Sequence, residues 1–353
     1  MGCKLCKREC NADRAHGECG YCGESDGIWV ARAALHLWEE PCICGKAGSG
    51  AVFFCGCPLH CVYCQNASIS CGHAGEAASP KCITAERLTE IFLSLQSQDA
   101  CNINLITPTQ YIPQIITALK SAKKQGLSIP IVYNTGTYEK PEVLRSLSGL
   151  VDIYLPDFKY YSHRLSEKYS AAPDYREAAA AALAEMVRQT GAPVYDENTG
   201  LMKSGVIVRH MMLPGHLQDS KKVLSYLRDT YGDTIVYSVM SQYTPVRMFP
   251  DMPELNRRVS HREYNALLDY CLSIGIEDGY MQEGEAAESS FIPSFNAHVR
   301  ERSKQPKTRG RPPAPHYSET ETKRPHCGIP FSLYFLKKIV ISKVYCCCSF
   351  ECV

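Results

Sequence analysis

Between residues 51 and 283, short apolar runs rich in β-branched residues alternate with longer stretches whose apolar positions recur every three or four residues. The first kind suits a strand buried on both faces, the second an amphipathic helix. Strands are predicted at 51–55, 102–106, 129–133, 151–155, 206–212 and 234–239. Leu88, Ile91, Phe92 and Leu95 share one helical face behind Thr84, a good capping residue, and Ile112, Ile115, Ile116 and Leu119 share another. Asp174 with Glu177 predicts a helix-opening capping arrangement before the alanine-rich stretch 178–186, and 263–272 reads as a late helix. Six strands alternating with helices predict parallel β/α architecture, with the loops after the strands forming the working face. A doubly wound open sheet produces the same one-dimensional pattern, so periodicity leaves barrel and sheet open.

The pattern changes at both ends. Residues 1–50 are rich in Cys and Gly and carry little periodicity, as expected of a small module held by metal. Residues 284–296 look like a closing segment. From 297 to 353, a stretch that includes Arg300-Glu301-Arg302-Ser303-Lys304, the chain offers little to bury and is expected to be a disordered, non-native tail. Deletion after Asn296 should leave a soluble protein with its chemistry intact.

The 353 residues are 45% apolar and 21% charged, enough to bury a sizeable core. A formal charge of +1 gives no reason to expect nucleic acid or an acidic membrane as the main partner. No uncharged apolar run reaches eighteen residues, and the start Met1-Gly2-Cys3-Lys4-Leu5-Cys6 lacks an apolar export segment, so a cytoplasmic location is expected. The 20 cysteines change the picture: fourteen fall between Cys3 and Cys101. In a reducing compartment that crowding points to metal binding or thiol chemistry rather than disulfides.

The sharpest motif is Gly56-Cys57-Pro58-Leu59-His60-Cys61-Val62-Tyr63-Cys64-Gln65-Asn66. Three thiolates on one tight loop can hold three irons of a four-iron, four-sulfur cluster, leaving the fourth iron for an outside chelator. A structural zinc closes itself with four ligands, and here would need His60 or Cys55 to complete it. The loop resembles the CxxxCxxC signature of the radical S-adenosylmethionine superfamily, with Tyr63 as the aromatic before the last cysteine. Phe53-Phe54-Cys55-Gly56-Cys57, 102–109, 152–159 and Val208-Arg209-His210 through Leu213-Pro214-Gly215 extend the likeness to the branch related to pyruvate formate-lyase activating enzymes with an N-terminal cysteine motif.

The resemblance implies an incomplete (β/α)6 barrel, a cluster on Cys57, Cys61 and Cys64, and S-adenosylmethionine chelated at the open iron. It implies a low-potential electron donor of flavodoxin or ferredoxin type, whose electron splits the sulfonium into methionine and a 5′-deoxyadenosyl radical. That radical takes hydrogen from a glycyl-radical enzyme, another protein or a small molecule. The cofactor carries the difficult chemistry, and the protein orients it and excludes solvent. Tyr63 is expected near the adenine. Thr107 and Thr109 stand where relatives carry a Gly-Gly-Glu stretch, without its carboxylate. Asn134, Asp157, Lys159, Gln242 and Tyr243 follow or end strands where cofactor contacts are expected, and Arg209 lies within the strand 206–212. Lys159 would face the methionine carboxylate, and Asp157 would touch ribose or fix Lys159. Arg209 needs a buried acidic partner, whereas His210 reads as a core histidine.

Two sets of N-terminal cysteines compete for a second metal. Cys3, Cys6, Cys19 and Cys22 have zinc-ribbon spacing. The resembled branch instead implies Cys3, Cys6, Cys10 and Cys22, with zinc and iron–sulfur both open. Cys42, Cys44 and Cys55 read as small core residues. A non-enzymatic iron–sulfur or zinc protein remains the alternative from a different class.

Overall fold

A computed structural model describes residues 2–73 and 80–281. The closing segment at 284–296 and the tail lie outside the described residues. Ten strands build one mixed sheet: β1 (Ile28–His36), β2 (Ser49–Phe54), β3 (Lys81–Ile83), β4 (Ile103–Ile106), β5 (Ile131–Thr135), β6 (Ile153–Pro156), β7 (Val194–Tyr195), β8 (Met202–Met211), β9 (Val236–Met240) and β10 (Gly279–Met281). Their order is β10-β9-β8-β6-β5-β4-β2-β1-β3, with β7 pairing onto β8. From β2 to β10 the pairings along this path are parallel, while β1 is antiparallel to both β2 and β3. The parallel strands follow chain order without reversal, so the sheet is singly wound and has none of the switch point of a doubly wound fold.

The pleat sorts the side chains. Ile103, Leu105, Ile131, Tyr133, Tyr154, Val206 and Val208 pack with the helices Ala85–Gln96, Ile112–Lys124, Tyr175–Thr190 and Leu217–Tyr231 in the main core. Their neighbours Val132, Ile153, Leu155 and Ile207 face the other way and meet Cys42 and Ile43 of the short helix Pro41–Cys44. Cys42, Cys44 and Cys55 are all buried, as small core residues should be. This second, inner face also carries Asn104, Asn134 and Arg209 by strand alternation.

Local signals mostly hold, with informative shifts. Thr84 caps its helix by accepting from the Arg87 amide at 3.2 Å. Asp174 stands at the N-cap, but its side chain makes no cap bond and instead accepts the Tyr138 hydroxyl at 2.5 Å. The complete capping box lies at Ser260 and Glu263. β5 begins two residues later than its apolar run suggests because Pro130 has no amide to donate. Asn134 is therefore inside the strand rather than beyond it. β1 extends the sheet through a long antiparallel pairing with β2, so residues 28–36 belong to the same sheet as the repeats. No helix among the described residues is long and apolar enough to cross a membrane.

Candidate functional site

β2 delivers the chain into the cysteine loop at the C-terminal end of the first parallel strand. Gly56 turns it with φ +83°, and a Cβ there would lie 2.6 Å from Glu24 Cγ and 2.8 Å from the Cys22 carbonyl oxygen. The next amide, Cys57 N–H, donates to that carbonyl at 3.3 Å. Arg8 clamps the loop from outside, its Nε donating to the Pro58 carbonyl at 2.8 Å and its NH2 to the Ser170 carbonyl at 2.8 Å. His60 takes a left-handed conformation, φ +48°, and stacks on Tyr21 at 5.1 Å.

Hydrogen-bond donors are aimed at the sulfurs. The Leu59 amide lies 3.4 Å from Cys57 Sγ, and the Ser170 hydroxyl donates to Cys61 Sγ at 3.0 Å. Tyr160 OH is 2.7 Å from Ser170 Oγ, and Tyr63 OH is 2.6 Å from Tyr160 OH. With Ser170 donating to sulfur, Tyr160 must donate to Ser170 and Tyr63 to Tyr160, one directed chain ending on Cys61. Burial, with the neighbouring thiols adding to it, pushes Cys57 up to about 12 and Cys64 up to about 11. Left alone these are neutral thiols; a cation must displace their protons.

Beside the loop, a charged cluster occupies the inner face. Lys159 Nζ reaches Asp157 Oδ2 at 2.6 Å, and Arg209 Nε reaches Asp157 Oδ1 at 3.0 Å. Arg209 NH2 donates to Asn134 Oδ1 at 2.6 Å and NH1 to Glu39 Oε2 at 3.3 Å, while Asn104 Nδ2 donates to Glu39 Oε1 at 2.9 Å. Burial opposes the charge on Asp157, but Lys159 and Arg209 outweigh it and hold the carboxyl below its ordinary value. For Lys159, burial is likewise outweighed by Asp157, with Cys61 and Cys64 adding to the upward shift. Glu39 goes the other way: burial pushes it up to about 7 although Arg209 pulls it down.

The expected site residues thus separate into groups. Asn134, Asp157, Lys159 and Arg209 meet in one network next to the cysteine loop. Thr107 holds a left-handed turn, φ +53°, at the end of β4. Thr109 points into the core, donating to buried Glu139 Oε1 at 2.5 Å. Tyr63 is buried with its hydroxyl engaged, and its ring meets Tyr169 and Tyr243 edge to face at 6.2 and 6.1 Å. Tyr243 donates its hydroxyl to the Leu255 carbonyl at 2.7 Å, and Gln242 offers its carbonyl to Gln65 at 3.4 Å. His210 is a core residue with Nδ1 2.7 Å from the Phe158 carbonyl. Sequence reasoning missed Glu39, Ser170 and Tyr160. Glu39 sits in the non-periodic N-terminal zone, and Ser170 ends a helix more than a hundred residues from Cys61.

The N-terminal cysteines divide as well. Cys3, Cys6, Cys10 and Cys22 line one small pocket together with Pro58, Thr109 and Gln110. Cys19 is exposed and lies outside that lining. Among the described residues, no three His, Cys, Asp or Glu side chains converge as one bound ion would require.

No family model matches the sequence. An uncharacterized protein of Methanocaldococcus jannaschii, MJ0674, is 28% identical over 271 residues, which cover 76% of this chain and 73% of that one. Among solved structures, HydG, a maturase of the [FeFe]-hydrogenase, aligns with a TM-score of 0.44 at 15% identity, over 68% of this chain and 53% of HydG. SuiB of Streptococcus suis, solved bound to S-adenosylmethionine, aligns with a TM-score of 0.40 at 13% identity, over 62% of this chain and 46% of SuiB. The chain spans about half the length of each of these two structures.

Proposed function

We propose that this protein is a radical S-adenosylmethionine enzyme on an incomplete (β/α)6 barrel, acting as an oxidoreductase of the glycyl-radical-enzyme-activating kind. The observation that carries the reading is the loop itself. Cys57, Cys61 and Cys64 follow the first parallel strand, with an amide and a hydroxyl aimed at two of their sulfurs and Lys159 within electrostatic reach of two. Donors and a cation around sulfur suit thiolates bound to iron, not idle thiols. A four-iron, four-sulfur cluster there, reduced by a low-potential donor, supplies the electron that breaks S-adenosylmethionine.

The chain's own residues bind and orient. Lys159 meets the methionine carboxylate, and Asp157, shared between Lys159 and Arg209, fixes the ammonium in place. Asn134 orients Arg209 from β5. Thr107 offers its backbone turn to the cofactor's amino group. Tyr63 and Tyr243, whose hydroxyls are engaged internally, form the apolar wall for the adenine. Glu39 is the acid beneath this network. The substrate is a glycine Cα of a partner protein or a comparable carbon. A second metal site occupies the N-terminal cysteines, and the protein works in the cytoplasm.

Anaerobic reconstitution with iron and sulfide, followed by a 5′-deoxyadenosine assay, tests the assignment. The parent should form product, and Cys57→Ala, Cys61→Ala and Cys64→Ala should each reduce it at least a hundredfold. Product at the parental rate from any variant removes that cysteine from the site. An intact, reducible cluster that never cleaves S-adenosylmethionine would establish the non-enzymatic alternative.

A further inference from the structure

The inner face of the sheet holds more acid than the cofactor network uses. Glu39 and Glu40 enter it together, on the turn that leads from β1 into the short helix Pro41–Cys44. Pro41 opens that helix with its φ already set, and the Glu40 carbonyl accepts the Ile43 and Cys44 amides at 2.9 Å each. Cys42 and Ile43 bury against the inner face, and Asn102 Nδ2 donates to the Ile43 carbonyl at 2.6 Å. The two carboxylates therefore stand on an anchored support.

Three carboxylates, Asp157, Glu40 and Glu39, gather around the Arg209 guanidinium, and Lys159 is the other cation paired within the cluster. Glu40 is only 8% exposed, yet its Oε2 has no hydrogen-bond partner among the described residues. On β4, fully buried Asn104 serves Glu39 through its Nδ2, while its Oδ1 likewise has no partner. Both unsatisfied atoms are acceptors. Leaving one such group buried and unpaired costs about 1–3 kcal/mol, so the face calls for an N–H donor from outside the chain.

A water could fill the hydrogen bonds but not the missing positive charge, and a sulfonium carries charge without an N–H. Among the described residues no three His, Cys, Asp or Glu side chains converge as a metal ion would require. An organic ammonium meets both needs, with charge and N–H donors in one group. Burial pushes Glu39 up to about 7, and a cation beside it would hold it ionised. The side chains of Lys159, Asp157 and Arg209 remain 18%, 22% and 17% exposed, so the face is reached from solvent past the cofactor-binding groups.

We propose that Glu39, Glu40 and Asn104 bind an alkylammonium group carried by the substrate near the carbon that loses hydrogen. This rests on the function proposed above and narrows its substrate to a cationic one, either a lysine beside the reacting glycine of a partner protein or a free amine.

Calorimetric titration of the full chain, reconstituted anaerobically with iron and sulfide, tests the site with three probes. These are N-acetyl-glycyl-lysine amide, N-acetyl-glycyl-norleucine amide, which has a similar reach without the charge, and butylammonium. The lysine peptide should bind the parent about tenfold more tightly than the norleucine peptide, as one charge-assisted hydrogen bond provides. In Glu40→Gln that preference should fall to about twofold or less. Equal binding of the two peptides by the parent overturns the proposal, and this comparison decides even if Glu40→Gln fails to fold. An undiminished preference in a Glu40→Gln protein that melts like the parent overturns it too. Butylammonium binding as tightly as the lysine peptide identifies a free amine as the substrate, and binding of the peptide alone identifies a protein segment; both sustain the site. A charge preference without any 5′-deoxyadenosine from an intact cluster sustains the cation site while removing the radical enzyme. Formation of 5′-deoxyadenosine with equal peptide binding does the reverse.

Discussion

Replacing Arg209 by Met keeps the length of the side chain and removes the charge on which three groups depend. In the parent, Arg209 contacts Asp157, Glu39 and Asn134. Breaking a buried ion pair from one side costs about 3–5 kcal/mol, and because Lys159 still neutralises Asp157 the lower end, about 3 kcal/mol, is expected. The pH dependence is the sharper signature. Glu39 is held up from 4.5 to about 7 by burial, against the pull of Arg209. A carboxyl raised in the folded state favours folding most while it stays protonated, below about 4.5, and that advantage is lost as pH rises through about 7. Without Arg209 the folded value rises further, so the variant goes on losing stability above pH 7 where the parent has levelled off. One proton is worth at most about 1.4 kcal/mol per pH unit, so the gap between variant and parent should widen by about 1 kcal/mol from pH 6 to pH 8. Anaerobic urea titrations followed by tryptophan fluorescence at both pH values measure it. A gap below 1 kcal/mol at both, or a gap larger at pH 6, would refute the assignment of Glu39 as the buried acid whose ionisation Arg209 favours.

Other expectations follow from single contacts. Gly56→Ala combines a left-handed backbone with a 2.6 Å clash against Glu24 and should cost about 3 kcal/mol or more, read as a lowered melting temperature and reduced iron incorporation. Ser170→Ala removes the hydroxyl donor to Cys61 Sγ; the loop cluster should become harder to reduce, its midpoint potential moving negative in a redox titration, and an unchanged or more positive potential would contradict the directed chain. Ser260→Ala removes the cap of the helix His261–Ser273 and should cost about 1 kcal/mol by urea denaturation with the cluster content unaltered.

The sequence by itself determined the strand–helix alternation, the helix faces of 85–96 and 112–124, and the loop that presents three cysteines. Each of these is written in short-range spacing: apolar period, proline position, cysteine interval. It marked Arg209 because a charged residue within a buried strand needs a partner, and Asp157 and Lys159 through the resemblance to a family that carries Asp-x-Lys after this strand. Tertiary structure alone decided that those partners are one another, together with Asn134 and a glutamate from the N-terminal zone. It turned Thr109 away toward Glu139 and engaged the hydroxyls of Tyr63 and Tyr243 inside the fold. It also placed Cys10 beside Gly20 in a pocket lining that leaves out Cys19, the residue that spacing alone favours. Strand order, and with it the single winding of the sheet, came only from the pairing. The physical reason is the same in each case: local pattern fixes which face of an element is buried, whereas which buried groups meet depends on how distant elements stack, and that is settled by the whole core at once.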